Sequence, residues 1–174
     1  MFKKILVCLD GSKFAERILP HAIERARRFN SKVILLQVIT VNVGAYVTPV
    51  PGHLPLFTPQ LLDSIIRREE TRAKFYLSSV VARLRETGLD VDAVVLQKMA
   101  EGTIASTIVT YAAENEVDLI MIATHGYRGL KHFVFGSVAE CVIRESALPV
   151  LVIKPQDIPT HGGTSVERSE AVPA

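Results

Sequence analysis

Cysteine is scarce, and what there is stands alone. Cys8 and Cys141 are the two cysteines of the 174-residue chain, and neither has CxxC or histidine-rich company. Both read as small buried hydrophobes of a reducing compartment rather than as redox groups. Aromatic residues make up 6% of the chain and are not interleaved with Arg or Lys, and the formal net charge is only +2. The electrostatic footprint of a nucleic-acid binder is therefore missing. No apolar run approaches the ~18–20 residues needed to span a bilayer. The opening run Ile5-Leu6-Val7-Cys8-Leu9 is too short for a signal-peptide core, and no small-residue cleavage pattern follows it. The expectation is a cytoplasmic protein.

Motif absences narrow the chemistry further. There is no GxxxxGK[ST] phosphate loop, no GxGxxG after the first apolar run, no GxSxG elbow and no HExxH. A phospho-receiver domain needs an Asp ending its third strand, and here that strand ends in Leu96-Gln97-Lys98.

What is present is an alternation of apolar β-rich runs with helical patterns. Lys4–Leu9, Lys32–Ile39, Val91–Gln97, Asp118–Ala123 and Pro149–Lys154 read as strands. Several are nearly continuous in Val, Ile and Leu, which suits strands buried on both faces of a parallel sheet. The helical segments are Ser12–Phe29, Pro59–Thr87, Thr103–Asn115 and Ser137–Glu145. The first is expected to bend at Pro20, and Gly88 is the expected stop of the second. With an apolar content of 48%, the pattern describes one α/β domain, a parallel sheet with helices on both faces. The link Val41–Thr58 carries Gly44, Gly52, Pro49, Pro51 and Pro55 without periodicity, which marks a functional or flexible loop. The polar segment 155–174 is expected to be disordered.

In open α/β sheets ligands sit beyond the carboxyl ends of the strands, where the winding reverses. The first strand runs into Asp10-Gly11-Ser12, and the fourth into Ala123-Thr124-His125-Gly126. Asp10 is placed to accept hydrogen bonds from a ribose or to help hold a metal. It equally suits a turn in which Ser12 caps the following helix. Ser137-Val138-Ala139-Glu140 matches a capping box, yet a helix start preceded by Gly136 also offers N–H groups and a hydroxyl to a phosphate. His125 fits a loop role better than acid chemistry, because no acidic partner orients it. Arg128, Lys131 and His132 form a positive rim that suits a triphosphate or is simply solvated surface.

Taken in order, KKILVCLDGS, VILLQVI and IMIATHGYRGLKHFVFGSVAECVIRESALPVLVIK resemble the universal stress protein family across Met1–Lys154. Nucleotide-binding members carry a Gly, two residues, a Gly, nine residues, then Gly-Ser or Gly-Thr. This chain has Ala123-x2-Gly126-x9-Gly136-Ser137, with alanine in place of the first glycine. The resemblance implies a five-stranded parallel sheet of order 3-2-1-4-5, an adenine nucleotide alpha hydrolase-like fold. It also implies ATP, with Mg2+ arriving on the nucleotide.

Carried over residue by residue, the resemblance puts Asp10 at the ribose or adenosine end, with Cys8 and Leu9 lining the adenine pocket. Val38 offers backbone hydrogen bonds to adenine, and Ile122 and Ala123 lie along sugar and phosphates. Gly126, Gly136, Ser137 and Val138 cradle the phosphates, with Arg128 and Gly129 beside them. It further implies a homodimer paired through the last strand, Pro149–Lys154, an edge that invites association if left bare. The leading expectation is an ATP-binding stress-response regulator with at most slow hydrolysis. The alternatives are a nucleotide-free dimeric interaction module and a phosphohydrolase or transferase using His125 and Asp10.

Overall fold

The computed structural model describes residues 2–40, 59–98, 101–124 and 137–154. In chain order these form β1 (Lys4–Cys8), a 3-10 turn (Ala15–Ile18), α1 (Leu19–Phe29), β2 (Lys32–Ile39) and α2 (Pro59–Arg85). They continue with β3 (Val91–Gln97), α3 (Ile104–Glu114), β4 (Leu119–Ala123), α4 (Ser137–Glu145) and β5 (Val150–Ile153). The strands make one parallel sheet in the order β3-β2-β1-β4-β5. β1 is central, so the chain winds outward through β2 and β3, returns to β4 beside β1, and winds outward again.

The two faces follow from the period-2 geometry of strands. Ile5, Val7, Val33, Leu35, Leu119 and Met121 point to the α1 and α2 side, where they meet Ala22, Ala26, Leu77 and Val80. Leu6, Cys8, Ile34, Leu36, Ile120 and Ile122 point to the α3 and α4 side, against Ala105, Ile108, Ala112 and Val142. Full burial of each large aliphatic residue contributes ~1.5–3 kcal/mol before the entropy of ordering it. Burial on both faces holds for β1, β2 and β4. The edge strands β3 and β5 are largely half-buried, since each has a neighbour on one side only.

Local chemistry sets the element ends, and it corrects two sequence expectations. The expected Ser12–Phe29 helix is a 3-10 turn followed by α1. The Ser12 hydroxyl accepts from the Ala15 N–H at 3.0 Å and fixes that tighter start. Pro20 stands in the first turn of α1, where its missing N–H had no partner to lose, so it starts the helix and does not bend it. α4 opens at Ser137, directly after Gly136, which lies outside the described residues. α3 carries a reciprocal cap. Thr103 Oγ1 accepts from the Ser106 N–H at 3.0 Å, and Ser106 Oγ accepts from the Thr103 N–H at 2.8 Å. Gly88 follows α2 at φ +81, a conformation open to glycine, and its N–H donates to the Arg85 carbonyl. The Val41–Thr58 link and the 155–174 segment lie outside the described residues. No helix among those described is long and apolar enough to cross a membrane.

Candidate functional site

The winding reverses between β1 and β4, and their carboxyl ends open onto one cavity of about 250 Å3. Its floor is apolar, built from Cys8 and Leu9 of the β1 end, Leu36 and Val38 of β2, and Ile122 and Ala123 of β4. Ile104 and Ile108 close one side from the start of α3, and Ser137, Val138 and Ala139 close another from the first turn of α4. Asp10 lines the same space, with Phe14 and Ala15 of the segment leading into α1, and Thr124 completes the wall after β4.

Two parts of the wall are held by backbone pairing. The Leu9 N–H donates to the Leu36 carbonyl at 2.8 Å, and the Thr124 N–H donates to the Ile153 carbonyl at 2.9 Å. Beyond Leu9 the chain turns sharply. Asp10 Oδ1 accepts from the Ser12 N–H at 2.8 Å across Gly11, whose φ is +84. The turn reading and the ligand reading of Asp10 are therefore compatible: one carboxylate oxygen shapes the turn while the side chain still borders the cavity. Among the described lining residues Asp10 is the only charged one.

Burial pushes the Cys8 thiol up to about 12, so it lines the cavity as a neutral apolar group and not as a nucleophile. The first turn of α4 presents the positive end of a helix dipole to the cavity, where an anionic group is favoured. An apolar slot with one carboxylate on its rim and a helix start at one end suits a flat apolar ring joined to an anion.

Of the twelve residues singled out from sequence, eight line this cavity together: Cys8, Leu9, Asp10, Val38, Ile122, Ala123, Ser137 and Val138. Gly126, Arg128, Gly129 and Gly136 lie outside the described residues, as does His125. Sequence reasoning placed Thr124 in the loop at this crevice and missed Phe14, Ala15, Leu36, Ile104, Ile108 and Ala139. For Ile104 and Ile108 a signal existed. In a parallel sheet every strand-to-helix junction opens at the same end, so a helix start after β3 is also drawn toward the crevice.

Comparison with known proteins agrees with this architecture. The profile described as the universal stress protein family matches residues 1–154. The universal stress protein MJ0531 of Methanocaldococcus jannaschii is 32% identical over 154 residues, covering 88% of this chain and 83% of that protein. The solved structure of the hypothetical protein MJ0577, a universal stress protein of the same organism, superposes with a TM-score of 0.71. It is 28% identical and covers 90% of this chain and 99% of that one. A universal stress protein from Archaeoglobus fulgidus, solved in complex with dAMP, shares the fold at a TM-score of 0.55 and 24% identity, covering 88% of this chain and 98% of its own.

Proposed function

The chain belongs to the universal stress protein family, and from that premise we propose that it binds an adenine nucleotide, ATP carried with Mg2+, as a cytoplasmic stress-response regulator. One observation carries this reading: residues from three strand ends and from the start of α4, picked out by the family pattern, line a single cavity.

In this reading the adenine lies on the apolar floor, with Cys8 and Leu9 beside it and the Val38 backbone as its hydrogen-bonding edge. Asp10 accepts from a ribose hydroxyl. Ile122 and Ala123 flank the sugar. Ser137 and Val138, at the α4 start, take the phosphates with Gly126 and Gly136, and Arg128 and Gly129 stand close by. A cavity of about 250 Å3 is slightly below the ~300–1,000 Å3 typical of ligand pockets, so it encloses the nucleoside and leaves the phosphates at its mouth. Mg2+ would draw most of its ligands from phosphate oxygens and water, because Asp10 is the single carboxylate among the described lining residues. Hydrolysis is at most slow, since no described group in the lining is placed as a general base.

The homodimer forms through Pro149–Lys154. β5 is an edge strand whose apolar residues Val150–Ile153 are only half-buried within the single chain, which supports pairing there. Sedimentation at twice the chain mass is the expected outcome, and a monomer at micromolar concentration removes the dimer.

The test of binding is calorimetric titration of nucleotide-free protein with Mg-ATP. Saturable heat at or below millimolar ligand is expected; no heat and no thermal shift removes the nucleotide reading. A second reading, a nucleotide-free dimeric interaction module, is favoured by one observation: the Ala123 methyl borders the cavity where the family pattern has glycine. Adenine nucleotide released on denaturing freshly purified protein decides against that module.

A further inference from the structure

Phe14 is the one aromatic side chain among the described residues that line the cavity at the β1 and β4 ends. It is half-buried, and the Arg17 guanidinium sits over its ring, 5.7 Å from the ring centre. A cation therefore holds the electron-rich face on that side, while the same side chain borders the cavity.

The chain around Phe14 is fixed before any ligand arrives. The Phe14 carbonyl accepts from the Arg17 N–H at 3.1 Å, and the Ser12 carbonyl accepts from the Glu16 N–H at 3.2 Å. The Glu16 carboxylate pairs with Lys13 at 2.9 Å and with Arg83 of α2 at 2.6 Å, which ties this turn to a helix distant in sequence. An aromatic side chain has only two torsions to hold, so a contact made from such a turn costs little further ordering.

The chemistry of the ring selects the part of a nucleotide it would meet. Its electron-rich face gains nothing from a phosphate. With a ribose on Asp10 and phosphates at the α4 start, the base falls to the rest of the lining, where Leu36, Val38, Ile104 and Ile108 are aliphatic. Those four bury a flat ring without favouring one base over another. Phe14 adds a π surface, and stacking on it strengthens with the area of the stacked ring, so a purine gains more than a pyrimidine.

We propose that Phe14 is the base-stacking residue of this cavity and sets a preference for purine over pyrimidine nucleotides. The role rests on the nucleotide reading, which it deepens.

The experiment titrates Mg-ATP and Mg-CTP calorimetrically into the full-length, nucleotide-free protein and into its Phe14→Ala and Phe14→Leu variants. NMR of the adenine H2 and H8 protons follows the same complexes. The wild type should bind ATP more tightly than CTP. Phe14→Ala should weaken ATP about five- to a hundredfold, the worth of one base–aromatic stack, and CTP by less. Phe14→Leu, which keeps apolar volume, should also narrow the ATP-to-CTP ratio. In the wild-type complex the adenine protons should move upfield through the ring current of Phe14, and in the Leu variant that displacement should vanish. A side chain that merely supports the turn would produce neither the displacement nor the change in ratio. The role is overturned by equal losses for ATP and CTP, or by unchanged ATP affinity in Phe14→Ala. It is also overturned by a wild-type complex without the upfield displacement, a result that stands even if a variant fails to fold. No heat from the wild type with Mg-ATP removes the nucleotide reading and this role with it, whereas binding without base discrimination removes the role alone.

Discussion

Asp118 and Lys4 meet twice. The Asp118 carboxylate accepts from the Lys4 N–H at 2.9 Å, and the Asp118 N–H donates to the Lys4 carbonyl at 2.9 Å. The same carboxylate oxygen accepts from the Lys3 N–H at 2.8 Å. This clasp joins the beginnings of β1 and β4, the two strands whose opposite ends flank the cavity. The Lys4 N–H, and then that of Lys3, hold the Asp118 carboxyl below its ordinary value of 3.8.

A depressed carboxyl binds protons less readily folded than unfolded. Its stabilisation is therefore complete above the ordinary value and is lost as pH falls through the depressed one. Thermal melts across the acid range should show this loss, and Asp118→Asn, which keeps an acceptor oxygen, should flatten the acid limb of the curve. Some slope remains from Glu16. Burial raises its carboxyl, but hydrogen bonds from Arg83 and Lys13 outweigh that and hold it low. An unchanged acid limb in the Asn variant would mean that the clasp carries no charge-dependent stability.

The two thiols should separate kinetically. Cys8 is buried with its thiol pushed up to about 12, whereas Cys141 is partly exposed on α4 beside the Arg144 guanidinium. With an aromatic disulfide reagent at neutral pH, one thiol per chain should react promptly and the second only on unfolding. Prompt reaction of both would contradict the burial of the β1 end.

Gly11→Ala isolates the backbone demand of the turn beside the cavity. A Cβ there would lie 3.5 Å from Gln37 Nε2, ordinary contact, so space is not the obstacle. The obstacle is φ +84, which costs an alanine about 1–2 kcal/mol. Chemical denaturation should show a loss of that size, and a neutral result would mean that the turn relaxes to another conformation.

Ala123 is the position to vary for nucleotide binding. Ala123→Leu should fill the cavity and abolish calorimetric heat from Mg-ATP while the fold persists. Ala123→Gly should tighten binding severalfold and lower stability by ~0.5–1 kcal/mol, the cost of glycine in a strand. Equal affinity in all three proteins would place the nucleotide elsewhere.

Much of this was readable in advance, for identifiable reasons. β1, β2 and β4 announce themselves because residues of both parities are apolar, as burial on two faces requires. The strand order came with the family resemblance, since periodicity alone does not rank strands across a sheet. Asp10, Ala123 and Ser137 stood out because small or polar residues at strand and helix ends are chemically unusual. Phe14, Leu36, Ile104 and Ile108 did not, because an apolar residue facing a cavity has the same periodicity as one facing the core. The 3-10 start before α1 was hidden as well. It depends on the Ser12 hydroxyl reaching the Ala15 N–H, a contact that competes with ordinary helix starts and leaves the apolar spacing unchanged.

The Asp10 carboxylate is tethered by the Ser12 amide of its own loop at 2.8 Å. Its aim is thus set before any encounter, and little rotational freedom remains to be surrendered when a hydroxyl arrives. Selectivity at this rim would accordingly be expressed in which molecules are turned away on contact, and less in any reshaping of the loop around those admitted.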